Sequence, residues 1–256
     1  MPLSPYGNPP TASRMAALRP GNAISHIIKR HMTDEPILLS IAVLGGTGKE
    51  GKGLAYRWAK AGYTIYIGSR SREKAENATK ELLGLLEGEA NVEGTTNIEA
   101  AQKADIVVLT VPYAAHRETL ESVRDALQGK ILIDVTVPLV PPKVATVQMP
   151  PAGSAAQEAR EILGEAVQIT AAFQNISHEH LLDDSDVECD VLVTGTSKEA
   201  RDETLKLVEA AGLKGWDAGP LENSVVIEGL TSVLIGINKK YGSTHAGIKI
   251  IGVDKT

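Results

Sequence analysis

An apolar run followed at once by a glycine-rich turn and an amphipathic segment constrains this chain more than any other feature. The run covers residues 37–44, and Gly46, Gly48 and Gly51 then form the pattern G-x-G-x-x-G. A strand, a tight turn and a helix start in this order are typical of the place where a Rossmann domain binds a dinucleotide. The sequence therefore predicts a dinucleotide site here, with a plain structural turn as the alternative.

Each glycine of the pattern has a separate expected role. Gly46 would allow the tight turn out of the strand, Gly48 would let the backbone approach a pyrophosphate, and Gly51 would let the new helix pack on the strand. The N–H groups of the helix start would face the phosphates. We therefore expect cofactor contacts along the whole turn, from Gly46, Thr47, Gly48, Lys49, Glu50 and Gly51.

A second predicted strand, residues 63–68, ends where such sites read the adenosine ribose. An Asp or Glu there would bind the 2′-hydroxyl and indicate NAD. This chain has instead three cations and two hydroxyls, which suit a 2′-phosphate and favour NADP. The alternative is that these charges merely begin a solvated helix. The residues concerned are Ser69, Arg70, Ser71, Arg72 and Lys74.

The rest of the chain alternates strand-like and helix-like segments, which predicts an α/β fold with a Rossmann doubly wound parallel sheet. Prolines in residues 137–151 predict a loop or extended crossing. We expect three parts: a disordered leader at 1–36, an NADP-binding Rossmann domain at 37–150, and a smaller C-terminal α/β lobe at 151–256. The last helix is predicted at 222–242 and a final strand at 247–253.

Ligands of Rossmann sheets lie beyond the carboxyl ends of the strands, which identifies further candidates. Pro112 could line the dinucleotide or simply end its strand, and Phe173 could be a core residue or a contact. Amide side chains mixed with apolar ones would suit a flat ring whose edge forms hydrogen bonds. These candidates are Val111, Pro112, Tyr113, Thr136, Val137, Pro138, Phe173, Gln174, Asn175, Ile176 and Ser177.

Several other functions are disfavoured. The net charge of −6 gives no general reason to bind nucleic acid, and no apolar run reaches membrane-spanning length. The six histidines show no metal-ligand spacing, and the single cysteine, Cys189, is expected to be structural. His116 fits an exposed first helical turn as well as a catalytic role. We expect a cytoplasmic protein that needs no metal.

No catalytic acid or base stands out. No tyrosine is followed four residues later by lysine, the pair that short-chain reductases use. Hydride exchange between two cofactors needs no strong acid or base, because the chemistry belongs to the rings. The protein then has to stack and align them.

Taken together, these segments resemble the NADP-dependent coenzyme F420 reductases, also called reduced-F420:NADP oxidoreductases. The resemblance covers residues 37–253 and rests on GGTGKEGKGLA, IGSRSREKA, ADIVVLTVPY, WDAGPLENS and GIKI. It implies a Rossmann domain with a small C-terminal lobe that completes the deazaflavin pocket, and a homodimer. It also implies reversible hydride transfer between C5 of the deazaflavin and C4 of the NADP nicotinamide.

The resemblance also implies roles for particular residues. Thr47 and Ile176 would contact the nicotinamide, while Ser69, Arg70 and Lys74 would bind the 2′-phosphate. The chain departs from the archaeal pattern, which has His-Thr-Ile-Pro in place of residues 174–177 and Trp in place of Tyr113. The alternatives are an NADPH oxidoreductase that reduces flavin or ferric iron, and a non-enzymatic NADPH-sensing module.

Overall fold

The computed structural model describes residues 38–182 and 186–253. The predicted leader at 1–36 lies outside the described residues. Three strands are buried at every position: β1 (Ile41–Leu44), β4 (Ile106–Leu109) and β5 (Ile131–Asp134). Uninterrupted apolar runs of this kind suit central parallel strands, which are covered on both faces.

One eight-stranded sheet has the order β3-β2-β1-β4-β5-β6-β7-β8. Its first six strands follow the Rossmann order, which confirms the predicted fold class. All neighbouring pairs are parallel except β6 and β7, which are antiparallel. The other strands are β2 (Ile65–Ser69), β3 (Val92–Thr96), β6 (Gln168–Ala171), β7 (Asp190–Gly195) and β8 (Lys214–Pro220).

Helices cover both faces of the sheet. One core contains buried residues of α1 (Lys49–Lys60), α2 (Arg72–Leu85) and α6 (Lys198–Ala210). The other contains residues of α3 (Asn97–Lys103), α4 (His116–Val123) and α5 (Ala155–Leu163). No helix among the described residues is long and apolar enough to cross a membrane.

The last helix, α7 (Ser224–Tyr241), ends where predicted, because Gly242 adopts a left-handed conformation with φ +67°. The predicted strand at 247–253 is wrong. Asp190 N donates to Ile248 O at 2.8 Å, but Ile250 N donates to the Asp190 carboxylate at 2.7 Å. A side chain thus takes the place of the next main-chain acceptor, so no ladder forms along this segment.

The predicted second lobe shares the sheet of the first. Residues 135–154 form no helix or strand, as their prolines predict, and they lead into α5. Strand β6 then pairs with β5, so the following strands extend the same sheet. A boundary near residue 150 stays a prediction about folding units.

Candidate active site

A cavity of about 950 Å³ lies beyond the carboxyl ends of β1, β2, β4, β5 and β6. It has two ends. The glycine end is formed by Thr47–Glu50 with Ser69, Arg70 and Lys74, and the amide end by Thr136, Val137, Gln174–Ile176 and Thr231. Most predicted site residues line it: Thr47, Gly48, Lys49, Glu50, Ser69, Arg70, Lys74, Val111, Pro112, Val137, Gln174, Asn175 and Ile176.

The predicted residues that are not part of the cavity lining are Gly46, Gly51, Arg72, Tyr113, Pro138 and Phe173. Gly51 packs as expected, since a Cβ there would lie 2.4 Å from Thr110 Oγ1. The left-handed residue of the turn is Gly45, with φ +77°, rather than Gly46. The tight turn expected of Gly46 therefore depends on the glycine before it.

The space beside Gly48 is open. A Cβ on Gly48 would have one neighbour within 4 Å, Gly45 O at 3.4 Å. Gly48 is also the N-cap of α1 and offers no side chain to the first helical amides. Those amides and the positive end of the helix dipole are therefore available to an anion in the cavity.

Two of the three cations after β2 serve the cavity. Arg70 and Lys74 line it and are exposed, and neither forms an ion pair with the described residues. Arg72 instead binds Glu99 and donates to Thr95 Oγ1 at 3.2 Å. Arg72 therefore fits the alternative that these charges only begin a solvated helix. Arg70 and Lys74 remain available to a phosphate.

Glu50, predicted as a cofactor contact, is an acid at the glycine end. It lies in the first turn of α1 and lines the cavity. Burial raises the pKa of its carboxyl from 4.5 to about 8. Glu50 is therefore mostly neutral at pH 7, and a neutral carboxyl does not repel a nearby anion.

The amide end is held by buried side chains. Gln174 Nε2 donates to Asp134 O at 2.7 Å, and Asn175 Nδ2 donates to Asp190 O at 3.0 Å. Both residues are almost fully buried, and neither Gln174 Oε1 nor Asn175 Oδ1 has a hydrogen-bond partner among the described residues. A buried acceptor without a donor is costly, so each oxygen has an unmet hydrogen bond beside the cavity.

Phe173 belongs to the core. It is fully buried, and its ring packs edge-on against Trp58 with 5.8 Å between ring centroids. Its φ of +74° is rare for a side chain of this size. This conformation separates Phe173, which faces the core, from the cavity-lining Gln174 and Asn175 that follow.

Comparison with known proteins gives the family. Residues 40–138 match the family model described as NADP oxidoreductase coenzyme F420-dependent. The F420-dependent NADP reductase of Methanocaldococcus jannaschii is 40% identical over 224 residues, covering 84% of this chain and all of that protein. The chain belongs to the F420-dependent NADP reductase family.

Two further matches agree. The F420-dependent NADP reductase of Methanothermobacter marburgensis is 42% identical over 219 residues, 83% of this chain and 98% of that protein. A crystal structure from Arthrobacter sp. FB24, described as a candidate F420-dependent NADP reductase, aligns with a TM-score of 0.69 and 24% identity. The alignment covers 83% of this chain and 99% of that one, and it supports the fold.

In this member of the F420-dependent NADP reductase family, α7 supplies cavity residues that were not predicted. Thr231, Leu234, Ile235 and Asn238 line the cavity at the i, i+3, i+4, i+7 spacing of one helix face. Asn97 was also missed, although it directly follows β3 and its Oδ1 accepts from Gly45 N at 3.4 Å. The rule that ligands lie beyond strand ends would have identified Asn97, but no sequence signal showed which face of α7 turns inward.

His116 is the clearest correction. The sequence left an exposed first helical turn and a catalytic role open for His116, but its side chain is fully buried and bonded to Asp134. Tyr113, predicted as a cofactor contact, packs on the His116 ring at 5.9 Å and donates to Glu158 at 2.8 Å. Neither side chain lines the cavity, and both lie next to Glu158 on α5.

The described residues contain no group of three His, Cys, Asp or Glu side chains that could hold a metal ion. Cys189 is buried, and burial raises the pKa of its thiol. A thiol of this kind is mostly protonated at neutral pH and is a poor nucleophile, which agrees with the structural role expected from the sequence.

Proposed function

We propose that this protein transfers a hydride between NADPH and coenzyme F420, in either direction. One observation carries the proposal. A single cavity combines an open helix N-terminus and two available cations at its glycine end with buried amide oxygens and the aliphatic Ile176 at its amide end. The family membership and the roughly 40% identity to two F420-dependent NADP reductases support the same reaction.

The glycine end fits the phosphates of NADPH. Gly48 leaves room for a pyrophosphate, and the first amides of α1 would bind it. Arg70 and Lys74, with Ser69 beside them, would bind the 2′-phosphate by charge-assisted hydrogen bonds. No carboxylate that would favour NAD follows β2 at residues 69–72.

The amide end fits two stacked rings. Thr47 and Ile176 would contact the nicotinamide, and Gln174 and Asn175 offer acceptors to ring N–H groups. When bound, the nicotinamide and the deazaflavin supply the hydride chemistry themselves. The residues of this chain have to hold the rings in contact and exclude water, so no catalytic acid or base is assigned. We further infer that residues 151–253 complete the deazaflavin pocket.

The test is an absorbance assay in which oxidised F420 is mixed with the protein and NADPH, with NADH in parallel. Loss of the F420 absorbance with NADPH but not with NADH is the expected result. Reduction of free flavin or ferric iron without reduction of F420 would indicate another acceptor. NADPH binding without turnover of any acceptor would indicate a sensing module. Either result would overturn the proposal.

We also propose that the protein acts in the cytoplasm as a homodimer. NADPH is an intracellular cofactor, and α7 carries an exposed apolar stripe formed by Val226, Val233, Ile237 and Tyr241. Their spacing places them on one side of the helix, where a second copy could cover them. Light scattering should give a dimer mass that falls to the monomer mass in Val233→Glu. Lys239→Glu, on another side of α7, is the matched control and should leave the dimer intact.

A further inference from the structure

Asp134 lies under the amide end of the cavity and is hydrogen-bonded through both its carboxylate and its main-chain oxygen. It ends β5, and its side chain is fully buried. Its Oδ1 accepts from Thr136 N at 3.0 Å, and its main-chain oxygen accepts from Gln174 Nε2 at 2.7 Å. Both Thr136 and Gln174 line the cavity. The position of Asp134 therefore determines the position of two cavity residues from two neighbouring strand ends.

His116 is the partner of the Asp134 carboxylate. His116 Nε2 lies 2.7 Å from Asp134 Oδ2, and both side chains are fully buried. Burial lowers the pKa of His116, but the charge and hydrogen bond of Asp134 outweigh burial and raise it. The raised pKa favours the protonated ring, whose Nε2–H donates to Asp134 Oδ2. A buried carboxylate without this partner would lose most of the compensation for its desolvation.

The other charged groups around the pair come from three helical segments. A carboxylate oxygen of Glu158 on α5 lies 3.9 Å from His116 Nδ1. Glu158 also forms an ion pair with Arg117 and accepts a hydrogen bond from the Tyr113 hydroxyl. Glu228 on α7 accepts from Ala155 N and Ala156 N, and burial raises its pKa to about 8. Acids outnumber bases in this cluster, and His116 is the base in hydrogen-bond contact with Asp134.

We propose that His116 is a positioning residue for the amide end: by holding the Asp134 carboxylate in place, it fixes Thr136 and Gln174 and, through them, the alignment of the bound rings. The effect on hydride transfer rests on the proposed function. The effect on the nicotinamide environment does not, because it can be measured with NADPH alone.

The test compares His116→Ala, His116→Gln and the double variant His116→Ala/Asp134→Asn with the wild-type protein between about pH 5.5 and about pH 9. Three quantities are measured: the single-turnover rate of F420 reduction, the fluorescence and Kd of bound NADPH, and the thermal unfolding temperature. The double variant replaces the unpartnered carboxylate by a neutral amide that can still accept from Thr136 N.

The gap between His116→Ala and the wild type should be largest at low pH, where the raised pKa keeps the wild-type His116 protonated. The rate of the variant should be at least about tenfold lower there, and the gap should narrow as pH rises and the wild-type ring loses its proton. The fluorescence of bound NADPH in the wild type should change over the same pH range, while Kd changes little, since the glycine end is intact. The double variant should recover part of the rate lost in His116→Ala, and His116→Gln, which keeps a donor, should lie closer to the wild type.

A purely structural role for His116 predicts a different pattern. The rate and the unfolding temperature of His116→Ala would then be lowered by the same factor at every pH, and Asp134→Asn would not rescue them. That pattern would overturn the proposal. If the wild-type protein fails to reduce F420, the proposed function fails, while an NADPH fluorescence that follows pH in the wild type but not in His116→Ala would still support the positioning role.

Discussion

The two ends of the cavity are built in different ways. The glycine end comes from two short stretches of chain, residues 45–51 and 69–74, and acts through main-chain amides and exposed cations. The amide end combines residues that follow β5 and β6 with Thr231 of α7. Hydrogen bonds between groups far apart in sequence hold these residues together; for example, Thr231 Oγ1 donates to Gln174 O at 2.7 Å. The proposed phosphate binding is thus a local property of this chain, whereas the proposed ring alignment depends on the packing of the whole sheet.

The largest expected effect follows from the packing of the glycine end. Gly51→Ala places a Cβ 2.4 Å from Thr110 Oγ1 and should lower the free energy of unfolding by about 3 kcal/mol. Urea unfolding measures this change. Gly84→Ala is the matched control, since it lies in α2 with nothing within 4 Å of its Cβ, and should stabilise by about 0.5–1 kcal/mol. Equal stabilities of the two variants would contradict the close packing at Gly51.

The next effect tests whether the glycine end acts through single side chains. Arg70→Ala should weaken NADPH binding by about 2 kcal/mol, the loss of a charged hydrogen bond, with little change for NADH. Arg72→Ala is the control, because Arg72 is already bound to Glu99 and Thr95. Titration by fluorescence gives both Kd values. Equal losses for NADPH and NADH would show that Arg70 does not bind the 2′-phosphate.

A smaller effect is expected at the amide end. Ile176→Gly should slow hydride transfer about tenfold by loosening the contact between the rings, while the Kd of NADPH stays nearly constant. Stopped-flow single turnovers measure the rate. A loss of NADPH affinity with an unchanged rate would show that Ile176 contributes to binding the cofactor and not to aligning the rings. The two ends of the cavity would then not differ in function.

The smallest effect concerns pH. The pKa of Glu50 is raised to about 8, so its carboxyl is neutral below that value and becomes an anion as pH rises through it. NADPH affinity should therefore fall a few-fold between about pH 7 and about pH 9, because the carboxylate repels the phosphates. Glu50→Gln should bind NADPH with nearly constant affinity over this range. The same fall in both proteins would exclude Glu50 as its cause.

The features predicted correctly are those that the chain encodes locally. An apolar run and three glycines specify the first strand, its turn and the start of α1, and the cations after β2 lie close to that turn because parallel strands end at one edge of the sheet. The helices and the first six strands follow from hydrophobic period and from turn residues. Each of these depends on neighbours within a few residues.

Other features were decided by tertiary structure. Sequence patterns showed no difference between a His116 on an exposed helical turn and one buried against Asp134, because the two residues meet only when α4 packs beside β5. The same holds for the contact of Tyr113 with Glu158 and for the face of α7 that lines the cavity. It also holds for residues 247–253, where the Asp190 carboxylate accepts from Ile250 N and no strand forms. The sequence by itself determined the Rossmann order and the glycine end, since local sterics and strand direction are sufficient for both. Only the tertiary structure decided the amide end, because hydrogen bonds such as those of Gln174 to Asp134 and of Thr231 to Gln174 join groups 40 and 57 residues apart in sequence.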